Sequence, residues 1–250
     1  MREQLERNGY AVVEDALAPA EVDDLTAAVD SVYAAAGTQG PLHELAFAGR
    51  DERFLDLVAH PATLPLVVET LGWNIYMYHC HLDVHPPAPD EAPRWRWHQD
   101  GGRQNVDLAS PRPRLSLKIA YFLTAVPTAD AGALWVLPRS HTRDSLERPA
   151  DGSTRPAGST PLLVRPGTAV IMDRRLWHAR GENRSALTRK ALFYAYTYRW
   201  IRPRDDLELP ASRAARLDPL RRQLLGHGTS ALGHWIPTPE DVPLRGHDVR

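Results

Sequence analysis

The chain has 250 residues, 43% apolar and 24% charged, with a formal net charge of −1 and one cysteine, Cys80. Near-neutrality removes the electrostatic footprint expected of a nucleic-acid or anionic-membrane binder, and no apolar run reaches the roughly 20 residues of a membrane-spanning helix. A lone cysteine excludes an internal disulfide. With a charged N-terminus that lacks the apolar core of a signal peptide, it points to a reducing cytoplasm.

In chain order, a short apolar run at 10–13 precedes a helix expected over 18–36, where Pro19 sits in a first turn that tolerates it. A second helix is expected over 61–71, closed by Gly72. The texture then changes. Segments 74–84 (NIYMYHCHLDV), 115–126 (LSLKIAYFLTAV), 134–137, 168–172 and 191–199 (ALFYAYTYR) are rich in Ile, Val, Tyr and Phe and are bounded by Pro, Gly and Asp, as strands are. Between them, 86–93 and 148–159 (RPADGSTRPAGS) read as loops, the latter as a mobile one and a candidate lid. A late helix is expected around 211–225. Helices feeding a run of short strands predict an antiparallel double-sheet barrel with helices outside. The expected organisation is one domain over 1–250, with its β-core at about 74–200 and a C-terminal helical extension over 201–250.

The stretch Arg94–Gly102 reads RWRWHQDGG. In a strand, His98 and Asp100 project to one face while Gln99 points away, and the glycines allow a sharp turn afterwards. Alone, H-x-D is a weak signal. The run 79–85 (HCHLDVH) carries more ligand-type residues on one face, but four donors spread along a strand cannot close around one ion with bonds near 2 Å. What strengthens the first pair is 176–189, LWHARGENRSALTR, in which His178 again follows a Trp and a strand. Two imidazoles and a carboxylate form the facial set that leaves iron(II) open for a reductant and O₂. A nearby guanidinium, Arg189, suits the carboxylate of a co-substrate. Hydrolytic zinc is the competing use of such ligands.

With WHQDGG, GALWVLPRSH (132–141), PGTAVIMDRRLWHARGENRS and the strand opening at Arg189, the chain resembles the phytanoyl-CoA dioxygenase family of iron(II)/2-oxoglutarate oxygenases. The resemblance extends from NGYAVVEDALAPAEVDDL to the C-terminal RRQLLGHG and DVPLRGH. It implies a mainly β fold with flanking helices, a double-stranded β-helix (jelly roll, cupin-like). It implies that His98, Asp100 and His178 ligate iron(II), that Arg189 binds the distal carboxylate of 2-oxoglutarate, and that Tyr121, His81 and Gln99 lie by the co-substrate. With O₂, the reaction would release succinate and CO₂ and oxidise a small molecule. Asp100 fills a position that related halogenases leave small, which points to hydroxylation, with epoxidation, desaturation or ring closure as alternatives. A non-catalytic metal- or ligand-binding barrel is the contrasting reading. Arg139 stands where the family commonly has glycine.

Several features have plainer readings. Trp97 and Trp177 should pack behind the metal, and Asn183 and Ser185 should fix a turn. Tyr194, Tyr196 and Tyr198 should lie outside the barrel if Arg189 faces inward. If Tyr121 faces the pocket, Lys118 faces the outer layer; a one-residue slip would reverse them. Arg180 reads equally as a pocket residue or a solvated one.

Overall fold

The computed structural model describes residues 1–227 and 231–247. Gly228 of the RRQLLGHG motif and the last three residues of the expected 201–250 extension lie outside the described residues.

Helix α1 (Arg2–Asn8) and strand β1 (Tyr10–Val13) lead into helix α2 (Pro19–Ala35). Pro19 opens α2, and the Glu21 carboxylate accepts the Ala18 N–H at 2.8 Å, satisfying a donor left without an intrahelical partner. Strand β2 (Leu42–Leu45), helix α3 (Glu52–Asp56) and helix α4 (Leu64–Leu71) follow. Gly72, at φ 84°, closes α4, a positive φ that glycine adopts without a Cβ clash. Then come β3 (Ile75–His85), the short helix α5 (Gln104–Asp107), β4 (Ser116–Phe122), β5 (Leu134–Val136), β6 (Thr160–Leu162), β7 (Ala169–Asp173), β8 (His178–Arg180) and β9 (Arg189–Tyr198). The late helix is in fact two, α6 (Ala211–Ala214) and α7 (Pro219–Leu224). Pro219 is the cause: it cannot continue α6, but it opens α7, whose N-cap Asp218 accepts from Arg221 N.

The strands form a six-stranded sheet in the order β1-β7-β4-β9-β3-β2 and a three-stranded sheet in the order β6-β5-β8, each antiparallel throughout. A bridge between His98 and His178 extends the smaller sheet. Two such sheets face to face make the double-stranded β-helix. β2 and β6 were not evident in the sequence because both are short edge strands. Pro161 is tolerated in β6 only because it lies at an edge.

Two apolar layers result. One lies between the helices and the outer face of the large sheet and includes Leu25, Phe54, Val67, Ile119, Tyr121, Tyr194 and Tyr196. The other lies between the sheets and includes Phe122, Leu134, Val136, Met172 and Phe193. Tyr194 and Tyr196 donate their hydroxyls to Phe54 O and Val58 O in the helical layer, both at 2.8 Å.

The 148–159 loop is not a lid. Trp97 Nε1 donates to Thr154 O at 2.9 Å, Arg155 pairs with Glu182 at 2.6 Å, and the Arg155 guanidinium lies 4.6 Å from the Trp135 ring centre. Trp135 points away from Leu134 and Val136, so the loop is clamped to the back of the small sheet.

A candidate metal centre between the sheets

The backbones of His98 and His178 exchange two hydrogen bonds of 3.0 Å, which sets their rings side by side with centres 4.2 Å apart. In each, Nδ1 lies 2.9 Å from a backbone carbonyl two residues earlier, Arg96 O and Leu176 O. A carbonyl can only accept, so Nδ1 carries the proton in both and the Nε2 lone pair is left to the site. Asp100 completes the group, with one ligand atom from each residue lying within 4.8 Å of the others. Burial pushes the His178 imidazole down to about 3, with His98 adding to the effect, so it is neutral and able to ligate near neutrality. Strand alternation turns Trp97 and Trp177 to the back, where they pack with Trp95, Trp135, Leu137 and Ala179, as expected.

Lys118 is the functional neighbour that the sequence left open. Its ammonium lies 2.8 Å from Asp100 Oδ1, and both side chains are less than a tenth exposed. Burial disfavours the Asp100 carboxylate, yet Lys118 and then the two histidines outweigh it and hold the carboxyl well below its usual range. Tyr121 is correspondingly displaced from its expected place. It pairs with Leu192 and Ala169 on the outer face, bonds Thr63 through its hydroxyl at 2.6 Å and packs on Tyr194. The alternation of β4 admits one set only, and Leu117, Ile119 and Tyr121 are claimed by the helical layer.

Gln99 lines the cavity beside the candidate ligands, but its amide is engaged elsewhere. Its amide donates to Arg143 O and Arg175 O and accepts from Arg112, so its hydrogen-bonding capacity goes to the surrounding loops. The motif's glycines are now explained too. Gly101, at φ 113°, lies where an added Cβ would overlap the guanidinium of the fully buried Arg174, which bonds Asn105 beneath the turn at 2.7 Å. Of the two arginines, Arg96 pairs with Glu91 and Glu182, while Arg94 is exposed.

The metal centre opens on a cavity of about 790 Å³. Arg189 and His81 line it, and Arg180 does as well, paired with Glu91 at 3.3 Å. Arg189 is 3% exposed, and among the described residues its side chain pairs with Asp83 alone, at 3.3 Å, while its Nε has no hydrogen-bond partner. A buried guanidinium so incompletely satisfied is suited to a second carboxylate. His81 stacks on Phe193 with ring centres 4.3 Å apart. Asn183 holds its turn by bonds to His85 O and Leu187 O, both 2.7 Å. Arg139 adopts φ 67°, the conformation for which glycine is preferred.

A sequence model described as Phytanoyl-CoA dioxygenase (PhyH) matches residues 5–191, about three-quarters of the chain. The chain belongs to the phytanoyl-CoA dioxygenase family. It is thus an iron(II)- and 2-oxoglutarate-dependent dioxygenase by family. An uncharacterized protein of Mycobacterium tuberculosis, Rv1501, is 29% identical over 238 residues, 87% of this chain and 82% of that one. Dioxygenase trt7 of Aspergillus terreus is 28% identical over 138 residues, covering 55% of this chain and 46% of its own length. Among solved structures, the epimerase SnoN in complex with Fe³⁺, alpha ketoglutarate and nogalamycin RO has a TM-score of 0.63 at 18% identity, covering 88% of this chain and 91% of that one. That likeness is one of fold.

The donor set fits the family's cofactors. Two Nε2 lone pairs and one carboxylate, from His98, His178 and Asp100, are the donor types that would hold iron(II) for dioxygen chemistry.

Proposed function

We propose that this enzyme hydroxylates an unactivated C–H bond of a small-molecule metabolite, with release of succinate and CO₂. The observation that carries this reading is the convergence of His98, Asp100 and His178 on a cavity whose wall holds the partly unsatisfied Arg189. His98, Asp100 and His178 would hold iron(II), and Arg189 the distal carboxylate of 2-oxoglutarate. When bound, the iron supplies the coupling of oxidative decarboxylation of 2-oxoglutarate by O₂ to oxidation of the substrate. The chain's own residues orient and enclose. Lys118 keeps Asp100 ionised and fixed, the backbone carbonyls lock both histidine tautomers, and the apolar floor of Met172, Leu134 and Phe193 excludes water.

A cavity of about 790 Å³ lies within the range of small-molecule sites, about 300–1,000 Å³, and leaves room beside a co-substrate. Arg180, Arg202 and Arg204 line it and favour a substrate bearing an acidic group. Asp100 occupies the position that would have to be vacant for halide chemistry. A cytoplasmic location suits the buried free thiol of Cys80.

The test is anaerobic addition of iron(II) and 2-oxoglutarate, expected to give the visible charge-transfer band of the chelate. His98→Ala should abolish the band, and Arg189→Leu should weaken 2-oxoglutarate binding at least about 30-fold. A band unchanged in His98→Ala would refute the ligand assignment. A succinate-release screen over acidic metabolites then identifies the substrate. Loss of two hydrogens means desaturation or ring closure; a product that gains one oxygen is a hydroxylation product if it carries a new alcohol and an epoxidation product if a C=C bond has been consumed.

A further inference from the structure

The proposed iron site uses none of the ligand-type residues of 79–85, yet β3 directs His79, His81 and Asp83 into the same cavity. Asp83 lies directly across from His43 on β2, and His81 precedes it by two residues on the same face. The ligand atoms of His43, His81 and Asp83 lie within 4.8 Å of one another, as do those of His98, Asp100 and His178.

His81 is also aimed. The two carboxylate oxygens of Asp205 lie 2.7 and 2.8 Å from His79 Nδ1, and His79 Nε2 lies 3.0 Å from His81 Nδ1. Asp205 and His79 are at most 5% exposed in their side chains. A carboxylate only accepts, so His79 Nδ1 carries the proton, its Nε2 accepts from His81 Nδ1–H, and the lone pair of His81 rests on Nε2. No hydrogen bond among the described residues engages that atom. A carboxylate acting through an imidazole to orient a ligand is a recurrent support for bound metals, and here it is extended by one ring.

We propose that His43, His81 and Asp83 form a second divalent-cation site on the cavity wall, separate from His98–Asp100–His178. Two imidazoles and a carboxylate select a zinc- or cobalt-class ion over calcium or magnesium. The ion replaces the 2.7 Å bond between His43 and Asp83 Oδ1, while Asp83 Oδ2 stays on Arg189. The guanidinium of Arg189, 3.3 Å from Asp83 Oδ2, lowers the affinity of this site for a cation. Asp205 and His79 are positioning residues, acting on the ion only through His81.

The experiment is anaerobic equilibrium dialysis against cobalt(II), counting ions per chain and titrating each by its visible absorption. Wild type should bind two, and His43→Ala and His98→Ala one each. Asp205→Asn should keep two but weaken one of them about 10- to 100-fold. A wild type that binds a single ion retained in His43→Ala overturns the proposal, as does a second ion that survives in His43→Ala. The iron-site reading is judged separately, because it fails only if His98→Ala loses nothing.

Discussion

The Lys118–Asp100 pair shows how one residue's surroundings set the state of another. Removing one member of a buried ion pair costs roughly 3–5 kcal/mol, because the other is left charged and unpaired. Lys118→Met should therefore destabilise the metal-free protein by about 3 kcal/mol in urea unfolding. Adding Asp100→Asn to it should recover much of that loss. A divalent cation should also shrink the loss, since it supplies the missing positive charge. Gly101 is the second residue on which the site depends. Gly101→Ala both sets a Cβ against Arg174 and demands a left-handed backbone, so a loss of at least about 3 kcal/mol is expected, with metal binding reduced because Asp100 is the preceding residue. A variant with unaltered melting temperature and metal affinity would contradict this account of the turn.

At the scale of the element, β4 carries the decision that most affects the site. Its seven residues are all buried, so burial cannot tell one face from the other. The face is set by partners: Lys118 opposite Ala195 and Met172 looks inward, and Tyr121 opposite Leu192 looks outward. Tyr121→Phe tests the assignment. Loss of the Thr63 bond should cost about 1 kcal/mol of stability while leaving 2-oxoglutarate affinity within twofold of wild type. A large fall in that affinity would put Tyr121 back beside the co-substrate. Strand β3 poses the same problem, and there a register irregularity between Met77 and His79 helps to bring Tyr78 as well as His79 to the cavity.

Over the whole molecule, burial keeps several interior histidines neutral. His178 is pushed down to about 3, His85 to about 4, and His79 and His81 are lowered too, all chiefly by burial. In the unfolded chain these side chains titrate near 6.5. Between that value and the folded ones, the unfolded state binds more protons, so stability falls as pH falls. The metal-free protein should keep its full stability above about pH 7 and lose it progressively from about 6.5 toward 4, read as a falling urea midpoint. The carboxylates Asp83, Asp100 and Asp173 are held below their ordinary range by their cationic partners, chiefly against burial. They add a further loss at lower pH, below about 4. A midpoint flat from pH 7 to 5 would mean that the histidines are not buried as described. No single helix among the described residues is long and apolar enough to cross a membrane, and the bent pair that approaches this, 52–59 with 64–71, packs much of its apolar surface into the helical layer.

The sequence by itself determined the β-rich character, the helices α2 and α4, and the candidate ligand set, because each rests on local rules. Strand alternation pairs His98 with Asp100, a Trp-His after a strand marks His178, and Arg189 opens the last long strand. The double-stranded β-helix and its cofactors came from resemblance. Only the tertiary structure decided what lies on two buried faces. It sent Lys118 in and Tyr121 out, tied the amide of the cavity residue Gln99 to the loops, pinned 148–159 behind the small sheet, and joined Asp205 to His79 from 126 residues away. Those outcomes depend on which layer claims each face of a wholly buried strand and on contacts between segments far apart in the chain. A pattern of period two states that two faces exist, but packing alone chooses between them.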